Sequence, residues 1–548
     1  MLVKKISLLT AAAIFILTAL TSCGNDDKGD GSGHMYDVPL VGNPKSLDPQ
    51  FADDPSSNTV IRNLYSGLME TDADGNIICC NASDYKVSDD GKVYTFYLRE
   101  DNYWFFDKNN DDIISEEEYF PVTSHDYEFA LRRVLDPAMK SPYSEDFSCI
   151  MGADEVLKGT QPLSFAEIYA PSDYTLQIVL KAPNEEFLHL MATAAAYPCS
   201  EWFFDSTKGR YGLDDRSIMS NGAFYVRQWF YDPYGHNNIL YMKRNDANWS
   251  DSYDIMPSFL SFTIERDEES VREIFKDDEI ECFTTLDSSL YNPERYNVEN
   301  FPALTLGLIF NPDDKIFGNL NIRRAMALSV ERSATENLLD GDMYTAYGII
   351  PPAIKLYGRS YRELVSDRVF YYYNEEESLN CYEKAKKELK FDNIENIKIL
   401  VNAETADSRS LHIITQQWQK LFGCLIGVED VTADEFDSRI ESGDYSIALY
   451  PLKGNLATGK SIIRELESKS FFAPAVPDDG MTAPLASSSS PDELIEAYTE
   501  IEKYVVGTYR FVPLFYKNLY LISDKDNEFI EYDPFSGAVD YRLAQNYD

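Results

Sequence analysis

From Tyr36 onward, short alternating runs and longer stretches of helical period follow one another without a low-complexity break. Tyr94-Thr95-Phe96-Tyr97-Leu98 alternates with the period of two expected of a half-buried strand, and Asp89-Asp90-Gly91 ahead of it predicts a turn. Arg323 to Leu339 repeats at helical spacing, with Ala325, Leu328 and Leu338-Leu339 on one side. Ile397 to Val401 predicts a buried strand, Leu411 to Leu421 a helix, and Tyr445 to Tyr450 another strand. That strand–helix–strand order predicts an α/β lobe with parallel pairing. Residues 482–491, TAPLASSSSP, predict a loop before a helix that starts near Pro491-Asp492. No internal repeat is present.

One apolar run has a different character. Ile6 to Leu20 follows Lys4 and Lys5 and ends in Leu20-Thr21-Ser22-Cys23. A basic start, a short apolar core and small residues before a cleavage point make a secretory signal. The run is short for a bilayer span of about 20 residues. The residue order resembles the lipobox of bacterial lipoproteins. That resemblance implies a diacylglycerol on the Cys23 sulfur, a signal peptide over 1–22 and a mature chain that begins at Cys23; a plain signal peptide or an N-terminal anchor is the alternative. Residues 23–35 are then a polar, Gly-rich tether. The body is expected to be extracytoplasmic, held on the outer face of the cell membrane and out of reach of ATP.

Composition narrows the picture further. A chain of 548 residues is too long for one core, so two or three lobes of roughly 150 residues are expected. Lys plus Arg number 49 and Asp plus Glu 92, a net charge of −43 that argues against nucleic acid and against adhesion to anionic lipid. Aromatic residues reach 14%, with 38 Tyr. Such side chains line sugar and peptide sites because each offers a flat apolar face and a polar tip, and they also fill cores. Besides Cys23 there are seven cysteines at irregular spacings, with Cys79-Cys80 adjacent and no C-x-x-C pattern; export permits disulfides, and the spacing leaves their pairing open.

Several segments in order carry a wider resemblance: Ser46-Leu47-Asp48-Pro49, Asn63 to Leu68, Val87 to Arg99, Pro121-Val122-Thr123 with Tyr127 to Arg133, Asp136-Pro137, Ser141-Pro142-Tyr143, Ser220 to Phe224, Ile322 to Ala325 and Ile350-Pro351-Pro352. Together they resemble the extracellular solute-binding proteins of family 5, the oligopeptide- and dipeptide-binding components of ABC importers. The resemblance implies an α/β, two-lobed clamshell of the periplasmic-binding-protein type. Lobe I is expected to be discontinuous (36–65, 172–270 and 501–548), a small lobe II to be inserted at 66–171, and lobe III to span 271–500. It implies a monomer that encloses a peptide or another small solute between lobes I and III, needs no cofactor, performs no catalysis and docks on membrane permease subunits. Family position places Ala52, Asp53, Asp54, Asn58 and Tyr143 on the cleft and Asn221 and Gly222 near the hinge. Tyr450, Leu452, Lys453, Gly454 and Asn455 are expected to face them from lobe III.

The lobe III loop departs from the family pattern. In peptide-binding members a Trp and, three residues on, an Asp follow the strand, and that Asp binds the peptide α-ammonium. Here Leu452 stands at the Trp position and Asn455 at the Asp position, and no Asp or Glu occurs from 445 to 464. A neutral amide lacks the charge-assisted part of that bond, which is about twice as strong as a neutral one. The ligand is therefore either a peptide held through its backbone or a solute without a free amine, an oligosaccharide among them.

Two local motifs compete with this reading. Gly454 to Ser461 matches G-x-x-x-x-G-K-[ST], a loop whose backbone N–H groups cradle phosphates. An exported chain without a downstream acidic strand end opposes nucleotide hydrolysis, but a helix start flanked by Lys453 and Lys460 is suited to an anionic group of the ligand. Residues 107–118 place oxygen-bearing groups at EF-hand spacing: Asp107, Asn109, Asp111, the carbonyl of Ile113, Ser115 and Glu118. They predict a structural Ca2+ loop or, alternatively, a solvated acidic loop; Asp112 replaces the usual Gly, and a strand rather than a helix precedes the loop. Only five His and no G-x-S-x-G or H-E-x-x-H leave a surface hydrolase without an anchor.

Overall fold

The computed structural model describes residues 34–546, apart from 73–74, 109–114, 235–237, 247–254, 290, 333, 335–341, 366–371, 407, 476 and 478. Cys23, the segment 1–22 and the candidate Ca2+ ligands Asn109, Asp111 and Ile113 lie outside the described residues.

Strand β1 (Met35–Val41) and helix α1 (Pro55–Leu64) open lobe I. Asp54 caps α1, its carboxylate accepting the Ser57 N–H at 2.9 Å, and Pro55 occupies the first turn, where no N–H is needed. An antiparallel sheet follows, made of β2 (Ala82–Val87), β3 (Val93–Leu98), β4 (Ile168–Ser172) and β5 (Thr175–Val179) in the order β2-β3-β5-β4. Tyr94, Phe96 and Leu98 are buried, as their alternation predicts. Helix α2 (Ser124–Leu135) packs on β4 and β5. The chain then returns to lobe I with β6 (Phe224–Phe230), β7 (Ile239–Arg244) and β8 (Phe259–Glu265), and β8 pairs in parallel with β1.

After α3 (Glu268–Lys276) comes a seven-stranded mixed sheet: β9 (Cys282–Thr285), β10 (Tyr296–Phe310), β11 (Met343–Thr345), β12 (Ile397–Asn402), β13 (Ile426–Val431), β14 (Ile447–Leu452) and β15 (Phe511–Asp524). The order is β9-β15-β10-β14-β12-β13, with β11 also on β15. β12 lies parallel to both β13 and β14. Helix α4 (Leu320–Leu328) precedes β11, and the predicted helix between β12 and β13, α5 (Arg409–Phe422), buries Leu411, Ile414 and Trp418 on the sheet. Helices α6 (Gly459–Ser468) and α7 (Pro491–Gly507) complete lobe III.

The apolar residues gather into two large cores. Val38, Leu64, Phe96, Leu131 and Phe262 belong to one, so lobes I and II share a continuous interior. Leu308, Ile399, Trp418, Leu449 and Val505 belong to the other. Strands β10 and β15 run antiparallel through both: Leu521 packs in the first core, Phe511 to Phe515 in the second. The molecule is therefore two bodies joined by a strand pair.

Several expected boundaries move. The division at 171 falls inside the β4–β5 hairpin, and those at 271 and 500 fall inside α3 and α7. A hairpin or an amphipathic helix packs as a unit, so none of these points separates bodies. Helix α4 ends at Leu328 and starts earlier than predicted because Asn319 caps it; the predicted Leu338-Leu339 lies outside the described residues. Strand β14 begins two residues after Tyr445, whose carbonyl accepts from Asn311 Nδ2 at 2.8 Å outside the ladder.

Helix α1 explains how lobe I closes on itself. Its polar face is buried rather than solvated, and it zips to the C-terminal segment. Asn58 Nδ2 donates to the Ser536 carbonyl (2.9 Å), Asn63 Nδ2 to the Val539 carbonyl (2.8 Å), and Arg62 pairs with Asp540 at 3.0 Å. Arg542 joins Asp540 to Glu70. The two guanidiniums hold the Asp540 carboxyl down at about 2 against the opposing effect of burial.

Candidate ligand-binding site

The loop after β14 is built around one hydroxyl. Ser461 Oγ accepts the backbone N–H of Asn455 (2.9 Å) and of Leu456 (3.1 Å), so the proton it has left goes to Asn455 Oδ1 at 2.8 Å. This network fixes the amide: its oxygen is turned into the loop and its NH2 faces outward. Next to it the Lys453 ammonium makes no hydrogen bond or ion pair with the described residues. Burial lowers its pKa, with the carboxylate of Asp533 as the opposing charge nearby. Asp533 is itself engaged, accepting from Phe535 N–H (3.0 Å) and from Ser536. The loop therefore offers donors: one cation and one amide NH2.

Across from it, Tyr143 donates its hydroxyl to the Ala52 carbonyl and lies in the field of Asp53, Asp54, Asp146 and Asp533, which together with burial raises its pKa. Asp54 is committed to capping α1. Asp53 is exposed and makes no hydrogen bond or ion pair among the described residues.

The G-x-x-x-x-G-K-[ST] match is structurally filled. The Tyr498 ring lies so close to Gly459 that an added Cβ would sit 2.6 Å from it. The Tyr498 hydroxyl accepts the Lys460 N–H at 2.9 Å and donates to the Glu186 carboxylate at 2.6 Å. A phosphate has no room at this helix start, and Ser461 is consumed by its own loop. The expectation of an anion at the start of α6 is corrected accordingly: the molecule supplies its own, Glu186.

This contact also joins the two bodies. Glu186 belongs to the lobe I–II side and Tyr498 to α7. Close by, Arg464 on α6 pairs with buried Asp146 and donates to the Pro142 carbonyl at 3.3 Å, and Tyr357 donates to Glu185 at 3.2 Å. Leu456 inserts into the lobe I–II core. Burial pushes the Glu186 carboxyl up to about 6, even though Tyr498 and Lys460 favour its charge.

Other expected site residues have structural roles. The Tyr450 and Leu452 side chains lie in the lobe III core, Tyr450 donating to Glu465 at 2.9 Å. Position 450 projects inward because β14 is buried on both faces. Asn221 is fully buried and bonds Ser66 through both side-chain atoms (3.1 and 2.9 Å), while Gly222 lets the chain pass against the Leu64 carbonyl. Gly454 leaves the space that Ser461 Oγ occupies. Sequence reasoning missed Asp146, Glu186, Arg464 and Tyr498, because no local motif marks a pairing between residues more than 300 positions apart.

Of the candidate Ca2+ ligands inside the described residues, Asp107 and Ser115 flank Glu118, whose two oxygens accept from the Lys108 and Ser115 N–H groups (2.9 and 3.2 Å) and from the Ser115 hydroxyl. This is a capping box on a 3-10 turn. The seven described cysteines are all free thiols. No helix among the described residues is long and apolar enough to cross a membrane.

The family model for bacterial extracellular solute-binding proteins, family 5 (Middle), matches residues 78–470. The chain is 26% identical over 464 residues to the oligopeptide-binding protein OppA of Bacillus subtilis, covering 81% of each protein. It is 24% identical over 408 residues to the dipeptide-binding protein DppE of the same organism, covering 73% of this chain and 71% of that one. Among solved structures, Listeria monocytogenes OppA bound to peptide superposes with a TM-score of 0.71 at 20% identity, covering 94% of this chain and 100% of that one.

Proposed function

The chain belongs to the bacterial extracellular solute-binding proteins of family 5, and from that premise we propose that it captures short peptides between its two bodies and delivers them to an ABC permease. Cys23 carries the lipid that tethers it to the outer face of the membrane, at an effective concentration set by a short linker. It works as a monomer without cofactor and without catalysis. The relatives named for oligopeptide and dipeptide binding support the solute class. Closure is a population shift, driven by whatever contacts the ligand makes only when both bodies meet.

The observation that carries the reading is the charge left unpartnered among the described residues at the cleft, with Lys453 on one body and Asp53 on the other. An unpaired, partly desolvated cation is unfavourable unless something neutralises it, and a ligand carboxylate does so. With the oxygen of Asn455 turned inward, the lobe III loop recognises acceptors and leaves a peptide ammonium to Asp53. Mass spectrometry of ligand released from gently denatured protein tests this. Short peptides support it; an oligosaccharide or another amine-free solute replaces it. Release of lipidated N-terminal peptide from Cys23 tests the tether.

A further inference from the structure

The lobe III sheet has a second unsatisfied cluster, at the opposite end of β14 from the cleft loop. Phe310 pairs with Ile447 and Ile309 with Phe511. Tyr445 and Arg510 therefore stand at the same sheet end, on either side of the last residues of β10. Arg323 on α4 reaches the same place: its guanidinium donates to the Gly318 carbonyl (2.6 Å) and to the Thr508 carbonyl (3.5 Å), in the turn that leads into Arg510. What remains is four buried donor atoms without a partner among the described residues: Arg323 Nε, Arg510 Nε and Nη1, and the Tyr445 hydroxyl.

Buried polar groups are overwhelmingly hydrogen-bonded, and a buried charge without a counter-charge is strongly destabilising. Here the buried Arg323 and the half-buried Arg510 neighbour each other, and neither forms an ion pair among the described residues. Burial and mutual repulsion bring Arg323 down to about 10, and burial lowers Arg510 as well. Asp313, whose field reaches Arg510 and Tyr445, is exposed and bonds neither. A chain with 92 acidic residues has left this corner cationic. Water can satisfy donors but cannot neutralise two charges.

We propose that Arg323, Arg510 and Tyr445 form a binding site for a small oxoanion, phosphate or sulfate, which ties α4 to the start of β15. Guanidinium groups suit such anions because they donate in a planar fork. Donors from three separate elements suit an acceptor with oxygens in several directions. The site is independent of the solute cleft and of the solute's identity.

The test is thermal unfolding and calorimetric titration of the whole mature chain with sodium sulfate or phosphate, against sodium chloride at matched ionic strength. Sulfate stabilises proteins generally through exclusion from their surface, and that effect does not saturate. The expected result is a saturable rise in Tm in the wild type that is absent in Arg510→Leu, whose anion affinity falls at least about tenfold. In anion-free buffer Arg510→Leu should be no less stable than wild type, since it removes an unpaired charge. Tyr445→Phe, which keeps the shape, should weaken binding a few-fold and guards against a misfolded first variant. An identical, non-saturating response in wild type and both variants would overturn the proposal, as would crystals grown in sulfate with only water between the two guanidiniums.

Discussion

Two of the places where the bodies meet differ in one respect. At the latch, Asp146 has Arg464, Glu186 has Tyr498 and Glu185 has Tyr357. At the cleft loop, Lys453 and the Asn455 NH2 have no partner among the described residues, and Asp53 opposite has none either. Both surfaces are polar and both lie between the lobes. A latch whose groups satisfy one another adds the same free energy to closure whatever the ligand. Unpartnered charges make closure depend on what arrives. On the proposed function, affinity and selectivity are thus carried by different residues, and each can be broken separately.

The latch gives the largest expected effect. Arg464→Ala strands the buried Asp146 carboxylate in the closed state, a loss of about 2 kcal/mol or more, or roughly thirtyfold in affinity. Isothermal titration should show this for every ligand alike. If one ligand class were affected and another spared, Arg464 would belong to the cleft and the division between the two places would fail. Lys453→Met should do the reverse. It should leave Tm unchanged or slightly raised, because a desolvated, unpaired ammonium is removed. It should also abolish the preference for a peptide with a free C-terminal carboxylate over its amide, a preference of about 1.5 to 3 kcal/mol in the wild type.

Glu186 sharpens the comparison through pH. Its carboxyl is raised to about 6 from an ordinary 4.5 by burial. Between those values the closed state therefore binds more protons than a state in which Glu186 is solvated. Closure should strengthen as pH falls through 6, with the gain complete below about 4.5. At neutral pH the buried charge opposes closure by about 2 kcal/mol. Affinity measured from pH 7 to pH 5 should rise in the wild type, and Glu186→Gln should flatten the profile at the tighter value. A flat wild-type profile would mean that Glu186 stays buried in the open form and is no part of the latch.

The local elements were legible because periodicity is local: Tyr94 to Leu98, the helix around Trp418 and the Pro491 start all form close to where the sequence puts them. The lobe borders were less so, since nothing in the sequence says which core an amphipathic helix such as α3 will enter. The cleft loop was legible as a departure, from the missing acid at Asn455. Its polarity was not, because that depends on a hydroxyl six residues away whose proton has one acceptor left. The helix start at Gly459 misled for the opposite reason. The glycines that would admit a phosphate admit the Tyr498 ring instead, and the group that fills the site comes from Glu186, distant in sequence.

Asn455→Asp is the smallest expected change and the most direct probe of loop polarity. Ser461 Oγ already accepts two backbone N–H groups, so its proton must still go to the side chain at 455. One oxygen of the new carboxylate takes it. The other then occupies the place of the outward NH2, and a neutral donor becomes a charged acceptor. Two consequences should follow together. Peptides with a free α-ammonium should gain about 1 kcal/mol over their N-acetylated forms, the difference between a charge-assisted and a neutral hydrogen bond. The preference for a free C-terminal carboxylate should shrink, because Lys453 now has a partner beside it. Paired titrations of acetylated, amidated and unmodified versions of one released peptide read both. If discrimination is the same in the variant and the wild type, the 453–455 loop does not meet a peptide terminus, and the contrast between a satisfied latch and an unsatisfied cleft no longer explains selectivity.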